Sequence, residues 1–557
     1  MHRRIELLKQ WLVTRDRELL VLAAITLVGL IARWMLAVGF MLGDDISYTD
    51  LIRDFMGGHY MQIGAIGQYS YRPMWVYPLA FSIKLFGWSR HTLVLYPVVT
   101  GSLIPLLMAL WIRRHLPRGS MAPVLCAAIL ACYPTLFVDS LVLANEIPMI
   151  FWCLTCVNVF GLAFAQLAQS PRLTSRPWRL GAWSFLAGMA LCAAYQVKSA
   201  AIPVLGLWLT ADLLLQVRRH GWPKWWPLAL AAVAFVLPVI GVQAFYYSKV
   251  GHPLGNFVGE LRLYELGLPP EYFQGKIDNT GILSQYPLQL FDLDGYPGYR
   301  ILWHGIWAWL GLGLAVLGCL GWKKIPADHR VLTGALVLVT VGLFLFLEFW
   351  PTRLKPYYMP NCFAGRPWRY MDVMGPTLAA WIAILLTLPK LFDRWFFHVL
   401  RIVLLAVGFG VAGYGIMVRC YEFGDRASEF RRVAEDKAIL APYLDVPHFI
   451  DMDGFGAMRA TLGLPERPEL IGQGSGAEKI ILDFRRHRGG CVWTGGARRY
   501  GVNADDAWAP SQVQALGGKL RLVHTWTSEL RPWRIYSLQL WAYEPQPPTI
   551  HDHPPPH

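Results

Sequence analysis

The chain has 557 residues, of which 55% are hydrophobic and only 16% charged, against about a quarter charged in soluble domains, so an ordinary soluble globular protein is excluded. The formal charge of +14 raises the question of nucleic acid. However, the basic residues sit in short loops between apolar blocks, with no basic stripe or recognition module, so membrane topology explains the charge better.

The N-terminus is basic, with Arg3, Arg4, Lys9, Arg15 and Arg17. The first apolar block, 19–40, is long and has no small-residue cleavage site, which predicts a retained signal-anchor helix. Further blocks long enough to span hydrocarbon, about 20 residues each, fall at 91–112, 120–138, 147–167, 181–195, 200–216, 227–247, 303–321, 331–350, 375–389 and 400–418. Every second connection is basic: Arg113, Arg114 and Arg118; Arg172, Arg176 and Arg179; Arg218, Arg219 and Lys224; Lys323, Lys324 and Arg330; Lys390, Arg394 and Arg401. Positive charge marks cytoplasmic loops. The phase predicts about eleven spans, with the N-terminus cytoplasmic and the C-terminus extracytoplasmic.

The expected outer connections differ in kind. Two are long, 41–90 and 248–302, and one, 351–374, is short and rich in Arg, Lys, Tyr and Pro. The membrane domain is expected over 1–418. From 419 to 545 the composition turns mixed, predicting a small extracytoplasmic α/β domain. It opens with a helix over 427–444 and holds strands near 479–484, 520–526 and 533–541, the last two as a hairpin. The tail, 546–557, is rich in Pro and His and reads as disordered. Cys126, Cys132, Cys153, Cys156, Cys192 and Cys319 lie in apolar blocks as small hydrophobes, and Cys362, Cys420 and Cys491 form an odd outer set with no disulfide framework.

Chemistry-bearing residues gather in the expected outer segments. Gly43-Asp44-Asp45-Ile46-Ser47-Tyr48 follows the first span, and its carboxylates read either as helix caps or as functional acids. Tyr71-Arg72-Pro73-Met74 leads into an apolar, aromatic helix. Arg72 there reads either as an interfacial anchor or as a phosphate ligand. Asn145-Glu146 lies between two apolar runs, where a carboxylate is costly unless paired or functional, and Lys198 sits between two others. Arg353, Lys355, Arg366 and Arg369 break the cytoplasmic bias for cations, which predicts an anion as their partner. Asp451-Met452-Asp453 has the form of a nucleotide-sugar metal motif but reads better as a strand-end turn.

In this order the motifs resemble the GT-C superfamily of glycosyltransferases, in particular the branch of aminoarabinose transferase and bacterial relatives of protein O-mannosyltransferase. Asp44, Asp45 and Tyr48 match the family's Asp-Glu pair with a Tyr four residues after the first acid, Asp replacing Glu. Arg72-Pro73-Met74, leading to Ile83-Lys84-Leu85-Phe86-Gly87, matches a Lys-Pro-Pro stretch before a Phe-Lys-Leu-Phe-Gly helix. Arg replaces Lys there, and Met74 replaces the second Pro. Asn145-Glu146 matches an acidic element opening the fourth helix, Lys198-Ser199 a turn between short helices, and Arg369-Tyr370 with Pro376 a late Arg-Tyr before an apolar helix. The resemblance covers roughly residues 1–390.

It implies an inverting transfer of a sugar from a polyprenyl-phosphate carrier to a hydroxyl of a lipid, glycan or protein, on the outer face of a bacterial plasma membrane. Asp44 would act as base, with Asp45 and Glu146 orienting the acceptor. Arg72, Lys198, Arg353, Lys355, Arg366 and Arg369 would hold the donor phosphate, and Tyr48, Tyr71 and Tyr370 would position substrates. A divalent ion, used by some relatives and not by others, would be held by Asp44 and Glu146. The alternative readings are a flippase or transporter of lipid-linked glycans, which predicts internal symmetry that the sequence lacks, and a non-catalytic assembly factor.

Overall fold

The computed structural model of the protein describes residues 17–39, 48–49, 51–52, 55–58, 72–117, 119–169, 177–222, 225–256, 258, 283, 285–291, 305–349, 351–353, 359–360, 368–388, 395–443, 446, 448–450, 484, 489–494, 519–526 and 538–544. By contact density the chain forms two compact units. The first comprises residues 1–37 and 51–419, and the second residues 38–50 and 420–557.

The first unit is a helix bundle. Helices α1 (Arg17–Met35), α2 (Pro73–Phe86) and α3 (Arg90–His115) come first. Pro73 stands at the first helical position of α2, where its missing N–H costs nothing. Gly87, at φ 79°, ends that helix. Two residues on, Ser89 and Thr92 form a capping box that opens α3. The single span expected over 120–138 is instead two pieces, α4 (Ala122–Ala131) and α5 (Pro134–Asp139). The break falls where Pro134 has no N–H to continue the ladder and starts a new helix instead.

Next come α6 (Glu146–Gln169), α7 (Pro177–Val197), α8 (Ala201–His220) and α9 (Trp225–Val250), then the short α10 (Gln285–Leu290), α11 (Gly305–Leu320) and α12 (Ala327–Phe349). A two-stranded antiparallel pair, β1 (Pro351–Arg353) with β2 (Met359–Pro360), precedes a 3-10 segment (Trp368–Met374) and α13 (Gly375–Leu386). Eight described helices are long and apolar enough to cross a membrane: Arg17–Met35, Arg90–His115, Glu146–Leu167, Pro177–Val197, Ala201–His220, Trp225–Val250, Ala327–Phe349 and His398–Tyr421. Three of the expected spans correspond to shorter apolar helices: Ala122–Ala131, Gly305–Leu320 and Met371–Leu386.

The bundle core is built where α6 packs on α7, α3 and α8, while α13 packs on α4, α11 and α12. Its largest buried side chains include Trp75, Trp111, Trp208 and Trp307. Trp111 meets Trp208 edge-on at 5.2 Å between centroids, a favoured aromatic geometry. Helix α9 touches α7 closely, since a Cβ on Gly188 would run into the backbone carbonyl of Phe235. By contrast, α9 and α1 leave most of their residues uncovered by protein, as lipid-facing helices do.

Helix α14 runs without interruption from Trp395 to Glu435. The separate helix expected over 427–444 is therefore, up to residue 435, the continuation of the last apolar helix. Short helical turns follow at Lys437–Leu440 and Ala441–Tyr443.

In the second unit, strands β3 (His448–Ile450), β4 (Gly490–Thr494), β5 (Lys519–Trp526) and β6 (Leu538–Glu544) form one sheet in the order β3-β4-β6-β5. Of the expected hairpin, the antiparallel pairing of β5 with β6 is present, in a register from Lys519 opposite Glu544 to Trp526 opposite Leu538, with β6 running to 544 rather than 541; the expected strand residues 533–537 lie outside the described residues. Neither β3 nor β4 is among the expected strands; β4 is parallel to β3 and antiparallel to β6. Trp526 donates its Nε1 hydrogen to Oδ2 of Asp436 at 2.6 Å, tying sheet to helix end. The residues 479–483 and Asp451-Met452-Asp453 lie outside the described residues.

Candidate active site

Glu146 is the first residue of α6, and Lys198 directly follows the last residue of α7. The two helices pack side by side. Their ends meet, and Nζ of Lys198 donates to Oε1 of Glu146 at 2.6 Å. Both side chains are buried; Glu146 is 1% exposed and Lys198 8%. A carboxylate at the N-terminus of a helix sits in the favourable field of the helix dipole, and a cation just past a C-terminus does likewise. Burial of either charge alone would be costly, and the pairing offsets that cost. The backbone at Lys198 is tied to both neighbouring helices: Lys198 N–H donates to the carbonyl of Ala194, and Ala201 N–H donates to the carbonyl of Lys198.

The sequence assigned these two residues to different tasks, Glu146 to the acceptor and Lys198 to the donor phosphate. The structure joins them as one ion pair. Glu146 was also expected to share a divalent ion with Asp44. Its Oε1 already faces an ammonium group, and among the described residues no group of three His, Cys, Asp or Glu side chains is placed to hold a metal. The described residues do not make a metal site.

Arg72 is 3% exposed and immediately precedes α2, whose first turn bonds back to its carbonyl through Trp75 and Val76. Helix α2 packs on α3 and α7. Asp44, Asp45, Tyr71, Lys355 and Arg366 lie outside the described residues, and Tyr48 is buried in the second unit. Arg353 belongs to β1, and Arg369 and Tyr370 belong to the 3-10 segment.

That 3-10 segment packs against α5, α6, α10, α12 and α13. It carries Asp372, which is fully buried. Buried Asp139 closes α5, and buried Glu348 is the penultimate residue of α12. Sequence reading passed over all three. The signal was present, since each is an ionisable residue within or beside an apolar run, and such residues are functional candidates by default.

Arg33 was also missed. It is fully buried in α1, donates from Nε to Oγ of Ser140 at 2.9 Å, and stacks on Phe137 at 4.5 Å.

A second polar cluster joins the last turn of α3 to the interior of α6 and α8. Oδ1 of Asp212 (α8) accepts from Nε1 of Trp111 at 2.8 Å, lies 2.9 Å from Nε2 of His115, and sits 3.8 Å from Nη2 of Arg114. Arg114 also donates to the carbonyl of Asn158 on α6 at 2.9 Å and to its Oδ1 at 3.3 Å. Helices α6 and α8 are thus fastened to α3 well away from the ends that carry Glu146 and Lys198.

No protein-family model matches the chain, and no curated protein matches it in sequence. Solved structures do. ArnT from Cupriavidus metallidurans in the apo state superposes over 94% of this chain and 97% of its own, with 14% identity and a TM-score of 0.54. The same protein bound to undecaprenyl phosphate gives 95% and 98%, 15% identity and a TM-score of 0.55. The oligosaccharyltransferase of Archaeoglobus fulgidus in complex with Zn and sulfate is a looser likeness, with 14% identity over 84% of this chain and 67% of that one, and a TM-score of 0.45. With ArnT, at such identities, the shared property is the fold.

Proposed function

We propose that this chain, whose fold is that of the GT-C glycosyltransferases, transfers a sugar from a polyprenyl-phosphate carrier to a hydroxyl on the extracytoplasmic face of the membrane. The observation that carries the reading is the buried Glu146–Lys198 pair. It is an expensive arrangement within an apolar bundle, of the kind that marks functional sites, and both its members stand out in the sequence. The likeness of fold to ArnT, which was solved with undecaprenyl phosphate, supports the choice of donor.

In the proposed reaction the acceptor oxygen attacks the anomeric carbon as the bond from that carbon to the phosphate oxygen breaks. The electron pair leaves with the phosphate, so the leaving group is an anion and needs cations rather than a general acid. The hydroxyl proton passes to Asp44. A single displacement inverts the anomeric centre.

Arg72 and the cations of the 351–374 loop would hold the phosphate, Arg through bidentate hydrogen bonds. Lys198 enters the site already neutralised by Glu146. Its role is then to hold Glu146 in place for the acceptor and to turn toward the phosphate as charge builds there. Asp45, Tyr48, Tyr71 and Tyr370 would orient substrates.

The test is transfer of label from a panel of radiolabelled polyprenyl-phosphate sugars to membrane acceptors by the purified, reconstituted protein. Label transferred from one donor supports the reading and names the sugar. No transfer from any donor, with the protein folded and acceptors from its own membrane present, counts against it.

A further inference from the structure

The long segment expected over 248–302 has a described beginning, and it folds back. Gly251, at φ 70°, ends α9 and donates its N–H to the carbonyl of Tyr247. His252 Nδ1 then accepts from Leu254 N–H at 3.1 Å. Gly255 approaches α9 so closely that a Cβ would lie 3.2 Å from the ring of Tyr246 and from the side chain of Val250. This close approach delivers Asn256, fully buried, to the end of α7. Its Nδ2 donates to the carbonyl of Tyr195 at 2.8 Å. The Tyr195 ring meets that of Tyr246 edge-on at 5.8 Å.

Tyr195 lies in the last turn of α7, where carbonyls run out of amide partners within the helix. Asn256 therefore acts as a C-terminal cap supplied by a distant segment. Lys198 is three residues further on, about 4.5 Å along the helix axis. The orientation of the amide is fixed by its partner: a carbonyl accepts, so the nitrogen faces Tyr195 and Oδ1 points away. Oδ1 is buried and has no partner among the described residues.

We propose that Asn256 is a positioning residue. By capping α7 it holds the Lys198 turn against Glu146, and it makes the placement of Lys198 depend on the docking of the 251–256 segment. This inference rests on the reading of Glu146 and Lys198 as part of the active site.

The test uses the full-length reconstituted protein with Asn256→Ala and Asn256→Asp. In Asn256→Ala the donor is gone. The expected result is a fall in kcat of about 5- to 10-fold, the worth of one hydrogen bond, with KM for the donor unchanged. In Asn256→Asp an ionised carboxylate faces the Tyr195 carbonyl and cannot donate, whereas the protonated acid can. Activity relative to wild type should therefore recover as pH falls, while Asn256→Ala shows no such recovery. Wild-type rates in Asn256→Ala, or an Asn256→Asp profile that tracks Asn256→Ala at every pH, would overturn the proposal.

A second readout needs no activity. Mass spectrometry after treatment with an amine-modifying reagent should find Lys198 labelled faster in Asn256→Ala than in wild type, and equal labelling would overturn the proposal. If wild type transfers no sugar, the reading of the site has failed, and the labelling result alone decides the role of Asn256.

Discussion

Nζ of Lys198 lies 2.6 Å from Oε1 of Glu146, joining the end of one buried helix to the start of another across 52 residues of sequence. Removing one member takes a close, oppositely charged partner from the other buried charge, a loss of about 3 kcal/mol. Glu146→Gln and Lys198→Met should each lower the unfolding temperature in detergent, and the double variant should be more stable than the sum of the two effects allows. Additive losses in this double-mutant cycle would show that the two groups are not coupled.

In the interior of α8 the same logic applies to Asp212. Its Oδ1 gathers Trp111, His115 and Arg114. Asp212→Ala should destabilise the protein by about 3 kcal/mol, because it leaves half-buried Arg114 without its carboxylate and buried Trp111 without its acceptor. Asp212→Asn, which keeps an acceptor for Trp111, should cost less. Neither should change KM for the donor in the protein that remains folded. Thermal unfolding with parallel kinetics checks this, and a selective rise in KM would place the cluster in the substrate site instead.

Close helix contacts give a contrast between glycines. A Cβ at Gly188 meets the Phe235 carbonyl, and one at Gly101 lies 2.7 Å from Cβ of Ser140. Gly188→Ala and Gly101→Ala should each cost about 1–3 kcal/mol by overpacking. Gly181 and Gly206 have nothing within 4 Å of such an atom, so alanine there should be tolerated. Equal effects at all four positions, read as yield and unfolding temperature, would contradict the packing described.

Burial pushes the Cys491 thiol from 9.0 up to about 12. A thiol that ionises later in the folded state than in the unfolded one makes stability fall as pH rises from about 9 toward 12. It also leaves little thiolate at neutral pH. Cys491 should therefore resist maleimide in the native protein and react once denaturant unfolds the sheet. Peptide mapping of the labelled protein checks this. Rapid native labelling would show that strand β4 is not buried as described.

The apolar helices were legible because hydrocarbon demands long apolar runs and loop charge marks their ends. Glu146 and Lys198 were legible for the converse reason, as ionisable residues set among apolar ones. Their pairing was not, since nothing local records which distant cation meets which carboxylate. Arg33, Asp139, Asp212, Glu348 and Asp372 carried the same signal as Glu146 but lay within or beside runs read as spans. Asn256 was invisible for another reason: an amide beside Gly255 reads as an ordinary turn residue, and only the fold delivers it to Tyr195. The break at Cys132-Tyr133 was readable from Pro134 and was overridden by the apolar run. The short strand β4, preceded by Arg485, Arg486 and Arg488, had too few residues to show an alternating pattern.

The most direct test of the proposed transfer sets wild type beside Asp44→Asn, both reconstituted with the polyprenyl-phosphate sugar that the donor panel identifies, with insertion and folding verified for each. Transfer by wild type that collapses in the Asp44→Asn variant is the predicted result, because the neutral amide cannot take the acceptor proton. Equal transfer by the two would contradict the assignment of Asp44 as base. Absence of transfer by the folded wild type would contradict the function itself.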